Sequence, residues 1–145
     1  MDKDFDGWNV MKKYLQGLLF RDYIKEREVW WCSLGVNIGF EEDGKNNLFE
    51  RPVLILLKFT ANSALIIPLT SHKRIGRYYF SFIHDNRECT LVLSQLRFIS
   101  TKRLLRKMYK IGDKNFEQIQ DSVCSMILKR LPLSGEPRRP EGHVD

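Results

Sequence analysis

Between Glu28 and Ile111 the apolar residues come in short bursts, each cut off by turn-forming residues. VWWCSL (29–34) is aromatic and β-branched, and VLILLKF (53–59) and ALIIPL (64–69) are compact apolar runs with ANS between them, a hairpin signal. RYYFSFI (77–83) alternates, with Tyr78, Phe80 and Phe82 on one face and Tyr79, Ser81 and Ile83 on the other. HDNRE reads as a turn, CTLVLS and LRFIS as further strands, and KMYKI as a short last one. Six or seven short strands in about eighty residues predict a mainly β fold, a small, strongly curved sheet or barrel.

Helical periodicity flanks this region. From about Asp4 to Tyr23, Trp8, Met11, Leu15, Leu18 and Leu19 recur at helical spacing, with Lys12, Lys13 and Gln16 opposite. After Asp113, which reads as an N-cap, Phe116, Ile119, Val123, Met126 and Ile127 form a second stripe. Lys129 and Arg130 suit its C-terminal end, and Pro132 stops it. The final PLSGEPRRPEGHVD has the Pro, Gly and charge content of a disordered tail.

At 145 residues the chain suits one domain with a real core. VLILLKF and ALIIPL are far too short to span a membrane. MDKDFDGW is acidic and no apolar signal core follows it, so the expectation is a cytoplasmic protein without a secretory leader. Cys32, Cys89 and Cys124 are odd in number and widely spaced, as reduced thiols would be, and His72, His84 and His143 are equally scattered. No metal site and no cofactor are expected. The net charge of +6 is concentrated in TKRLLRKMYK and SHKRIGRY, whereas Glu41, Glu42, Asp43 and Glu50 cluster between the first two apolar runs. The basic TKRLLRKMYK segment either guides a polyanion or is a solvated edge whose Leu104, Leu105 and Met108 face inward.

GxSxG, P-loop, HExxH and GxGxxG signatures are all missing. What remains is a set of polar tips on apolar strands. Arg51 precedes Pro52 at the start of a strand, a rigid root for a planar cation suited to phosphate; a surface pairing with Glu50 or Glu41 is the plainer alternative. In PLTSH (68–72), Pro68 marks an edge or a bulge, and Thr70 and Ser71 present hydroxyls to a phosphate or to backbone. In SQLR (94–97), Gln95 and Arg97 either bind these elements or satisfy loop backbone. Trp30, Trp31, Tyr78 and Tyr79 offer base-stacking rings or core packing.

In order, Val29-Trp30-Trp31, Leu34-Gly35, Gly39-x-Glu41, Arg51-Pro52-Val53, Pro68-Leu69-Thr70-Ser71 and Ser94-Gln95-Leu96-Arg97 resemble the PemK/MazF toxins of type II toxin–antitoxin systems. The resemblance covers about residues 27–130, and Trp8-Asn9 looks like the extension of a longer subgroup. It implies a small SH3-like β-barrel with an N-terminal and a C-terminal helix, usually homodimeric. It divides the chain into a helical extension (1–26), a barrel domain with its C-terminal helix (27–131) and a disordered tail (132–145). It implies a metal-independent endoribonuclease cutting single-stranded RNA at short sequences, and inhibition by a cognate antitoxin through which operator DNA is reached. The GFEEDGKNNLFERP loop (39–52) becomes a gate over the site. Arg51 and Thr70 map to the catalytic positions, and Phe40, Glu41, Ser71, Lys73, Gln95 and Arg97 to substrate contacts.

Two positions depart from the family's usual Gly-Ser-Glu-Gln: Phe40 replaces a hydroxyl and Glu42 a neutral amide. They motivate a competing reading, a member of the fold that binds RNA or antitoxin without turnover. A gyrase-directed toxin, the third reading, relies in its group on an aromatic and small-residue terminus, which PRRPEGHVD does not provide.

Overall fold

The second apolar run of the sequence becomes a strand that is buried on both faces, and the rest of the chain is laid around it. The computed structural model describes residues 2–20 and 23–129. Its elements run α1 (Phe5–Gln16), β1 (Glu28–Ser33), β2 (Glu50–Thr60), β3 (Ser63–Thr70), β4 (Tyr79–His84), β5 (Arg87–Val92), β6 (Arg97–Ser100), β7 (Leu104–Lys110) and α2 (Asp113–Leu128). All pairings are antiparallel, in the order β4-β5-β3-β2-β1-β7, and β6 also pairs with β3. Val53 and Ile55 of β2 face an inner cluster with Trp30, Cys32, Ile66 and Leu104. Leu54 and Leu56 face the opposite side, with Ile67, Leu91 and the stripe Phe116, Ile119 and Val123 of α2. This double burial is why VLILL is a continuous apolar run instead of an alternating one.

The curved sheet is not closed by hydrogen bonds, since its terminal strands β4 and β7 do not pair. Side chains bridge them instead. The His84 ring stacks on Tyr109 with centroids 3.6 Å apart, and the Tyr109 hydroxyl donates to Cys89 Sγ at 3.7 Å. Burial and this contact raise the Tyr109 pKa, which keeps the phenol neutral.

The predicted strands all form, with β7 beginning three residues early, at Leu104. The ANS turn joins β2 to β3, and the HDNRE turn carries Asp85 and Asn86 at φ of 48° and 61°, the left-handed pair of a tight hairpin. Pro68 differs from expectation. β3 is a central strand, and Pro68 falls where its neighbour changes from β6, paired to residues 63–66, to β5, paired to Leu69 and Thr70. No partner on that side is registered to Pro68, so a missing N–H is tolerated there. The first helix stops at Gln16, not near Tyr23, and leaves Leu19 exposed; Asp4 caps it by accepting from the Gly7 amide at 2.8 Å. Asp113 is the first residue of α2 and not its N-cap, a place taken by Gly112; its carboxylate is ion-paired with Arg27. Arg130, Pro132 and the tail expected over 132–145 lie outside the described residues.

TKRLLRKMYK proves to be mostly structural. Leu104 is fully buried, although Met108 is exposed. Arg106 makes a two-pronged contact with the buried Glu50 at 2.9 and 3.1 Å, and Lys107 pairs with the buried Glu28 at 3.2 Å. Truncation of Leu54, at 0% exposure, to alanine is expected to cost about 2–5 kcal/mol. Ile75→Ser, in a loop at 87% exposure, should change stability by less than about 0.5 kcal/mol. Urea denaturation of the two variants checks the contrast.

Candidate functional site

Arg51 enters the site from the second position of β2, one residue after the chain commits to the sheet. Its backbone is registered against Cys32 of β1 and its side chain is mostly buried. Nε donates to the Asp43 carbonyl at 2.6 Å and Nη1 to the Leu69 carbonyl at 3.0 Å. Nη2 meets a carboxylate oxygen of Glu42 at 3.1 Å. The guanidinium is therefore fixed between the loop, the end of β3 and one carboxylate. A guanidinium carries five N–H groups, so two remain for a ligand. The expected partners Glu50 and Glu41 are occupied elsewhere, Glu50 by Arg106 and Glu41 by the Ile38 amide at 2.8 Å.

Thr70 ends β3 beside this guanidinium. Its hydroxyl oxygen accepts from the His72 amide at 3.2 Å, which fixes the side chain and leaves its hydrogen free to donate. Arg51 and Thr70 line one cavity of about 390 Å³ with Glu42, Lys45, His72 and Arg74. Three cations stand there against one carboxylate, a balance that suits an anion such as a phosphodiester. A second cavity of about 530 Å³ adjoins across Glu42, and Glu41, Gln95, Arg97 and Asn37 line it.

The loop between β1 and β2 separates the two cavities. Gln95 stitches it down: its side-chain carbonyl accepts from the Glu42 amide at 3.2 Å and its amide donates to the Phe40 carbonyl at 3.1 Å. The loop is also tied internally. Asn37 donates from its backbone to Asp43 Oδ1 at 2.6 Å and from its side chain to the Glu42 carbonyl at 2.8 Å. Lys45 and Glu50 exchange both backbone bonds, and Gly44 lies so close to this ladder that a Cβ would sit 1.7 Å from the Phe49 oxygen. The dozen polar residues are thus a folded structure and not slack.

Of the residues expected in the site, Arg51 and Thr70 share the first cavity, and Glu41, Gln95 and Arg97 share the second. Phe40 is fully exposed on the loop above them. Ser71 is exposed and lines neither cavity; nor does Lys73, which pairs with Glu88 at 3.5 Å. Lys45, His72, Arg74 and Asn37 were not singled out by sequence. His72 closes the PLTSH stretch and Arg74 lies in the basic SHKRIGRY, which were the available signals. Lys45 and Asn37 lie in loop stretches without a motif. Among the described residues, no cluster of His, Cys, Asp and Glu could hold a metal ion.

Cys32, the register partner of Arg51 on β1, is fully buried; burial pushes its thiol from the ordinary 9.0 up to about 12, against the opposing pull of Arg103 and Arg97. The folded chain keeps a proton that the unfolded chain releases, so this contribution is complete below pH 9 and is lost as pH rises toward 12. The stability advantage of wild type over Cys32→Ala should therefore shrink between pH 8 and 11, as read from urea midpoints.

A family model described as the PemK-like, MazF-like toxin of type II toxin–antitoxin systems matches residues 25–127. Solved structures share the fold, two of them as follows. An endoribonuclease in complex with its cognate antitoxin, from a mycobacterial species, aligns with a TM-score of 0.55 at 11% identity, covering 75% of this chain and 99% of that one. The MazF of Deinococcus radiodurans aligns with a TM-score of 0.58 at 13% identity, covering 76% and 98%. No curated protein sequence matches the chain.

Proposed function

The chain belongs to the PemK-like, MazF-like toxins of type II toxin–antitoxin systems, and from that premise we propose that it is a metal-independent endoribonuclease of single-stranded RNA. The observation that carries the reading is the meeting of Arg51 and Thr70, 19 positions apart in sequence, in one cation-rich cavity. The RNA 2′-OH attacks the adjacent phosphorus, the bond to the 5′ oxygen breaks, and a cyclic phosphate and a 5′-OH result. Arg51 and Thr70 donate to the non-bridging oxygens as charge builds on them, the largest catalytic term for donors held in place. The second cavity takes a neighbouring nucleotide, with Phe40 available for stacking and Glu41, Gln95 and Arg97 for base edges or phosphate. Ser71 and Lys73, which line neither cavity, would meet the backbone further along. The partners follow from the same reading: single-stranded RNA, a cognate antitoxin like that of the mycobacterial neighbour, a second copy in a homodimer, and operator DNA through the antitoxin. The compartment is the cytoplasm. No helix among the described residues is long and apolar enough to cross a membrane.

The competing reading, binding without turnover, rests on the Glu42–Arg51 ion pair, which occupies the guanidinium a phosphate must reach. Cleavage of a long mixed-sequence RNA in EDTA, with new 5′ ends mapped, separates the two. Recurrent short cut sites are expected from wild type, with a loss of about 10²–10³-fold in Arg51→Ala. Intact RNA from folded wild type, with cuts gained by the Phe40→Ser, Glu42→Gln double variant, would establish the second reading instead.

A further inference from the structure

The family match begins at residue 25, so α1 and the residues before it fall outside the region the family describes. Yet the loop that frames Arg51 is held from there. Lys3 Nζ donates to the Asn37 carbonyl at 2.5 Å and the Gly39 carbonyl at 3.1 Å, and pairs with Asp43 Oδ2 at 3.0 Å. These three contacts use all three ammonium hydrogens. The Lys3 side chain is only 24% exposed, so the pairing is less screened than an ordinary surface contact. Its backbone is fixed by its neighbour Asp4, the cap of α1.

Trp8, one turn further on, covers the base of the same loop. It is 6% exposed, and a Cβ on Gly35 would sit 2.2 Å from its Cε2, so only glycine fits beneath the indole. Gly35 is also at φ +89°, a second reason for glycine there. The Trp8 ring lies 5.6 Å from that of Phe49, at the other end of the loop, and 5.4 Å from the Arg103 guanidinium. Arg103 in turn donates to the carbonyls of Ser33 and Leu34, where β1 enters the loop. A twelve-residue helix with two buried side chains is marginal alone, so α1 exists by virtue of these contacts.

One residue links the segment to the site. The Asp43 carboxylate is gripped by Lys3 and by the Asn37 amide, and the Asp43 carbonyl accepts from Arg51 Nε at 2.6 Å. We propose that the N-terminal segment is a strap that aims Arg51: Lys3 and Trp8 are positioning residues, acting on the guanidinium through Asp43 and the loop. The catalytic consequence rests on the endoribonuclease reading; the structural link does not.

The test is Lys3→Ala in the full-length chain, which removes the ammonium contacts and leaves Trp8 and the core in place. Amide exchange at Asn37, Glu42 and Gly44 should accelerate about tenfold, as the loop opens locally without global unfolding. The Arg51 Nε–H, bonded to the Asp43 carbonyl, is expected to give a protected signal in wild type that broadens or is lost in the variant. On a cleaved oligoribonucleotide, kcat should fall about tenfold with KM within about twofold, because misaligned donors cost rate and not affinity. Lys3→Arg should restore most of both readouts. Unchanged loop exchange and an unchanged Arg51 signal in Lys3→Ala would overturn the strap. An equal or higher kcat with a loosened loop would also overturn it, since the segment would then restrain the site instead of aiming it. If wild type cuts no RNA, the endoribonuclease reading fails separately, and the exchange and Arg51 signals alone decide the strap.

Discussion

The two-sided burial of β2 is the constraint on which the rest depends. Val53 and Ile55 point into one cluster and Leu54 and Leu56 into the other, all nearly or completely inaccessible to solvent. A strand so held cannot slip by one residue, because a slip would exchange the two faces. Its first residues therefore emerge at a fixed place and angle. Arg51 stands there, and a cation rooted in such a strand gives up little conformational freedom when it meets a ligand.

The loop before β2 has to cross from one cavity to the other while keeping its polar backbone satisfied. It does so with side chains: Asn37, Asp43 and Gln95 accept or donate for backbone groups that no strand serves. Each such bond contributes only about 0.5–1.5 kcal/mol net. Together they turn a long insertion into a surface of defined shape. The cost is that Glu42 is delivered to Arg51, so the guanidinium is already partnered before any ligand arrives.

Charge follows the same logic. The chain is basic by six units, but the densest basic run is answered by Glu50 and Glu28, both buried. Removing either glutamate would leave a cation without its partner, and removing the cation would strand a buried carboxylate, the more damaging case. Among the described residues, the first cavity brings Arg51, Lys45 and Arg74 together for a ligand, and Arg97 lines the second.

Much of this was legible in the residues. Strand bursts, hairpin turns, the stripe of α2 and the order of the polar tips are local properties, and local periodicity with turn chemistry suffices to read them. The same order of tips carried the family and with it Arg51 and Thr70. Partners were not legible. Glu50 beside Arg51 suggests a pair by adjacency, yet neighbours on a strand point to opposite faces, and Glu50 serves Arg106 on β7 instead. Pro68 suggests an edge, but β3 is central and merely changes neighbours there. Lys3, forty residues from Asp43, carries no local mark at all. The sequence by itself determined which segments are strands and which tips are polar, because those depend on neighbours along the chain. Only the tertiary structure decided which charge meets which, because that depends on how a curved sheet brings distant strand ends and an added helix to one loop.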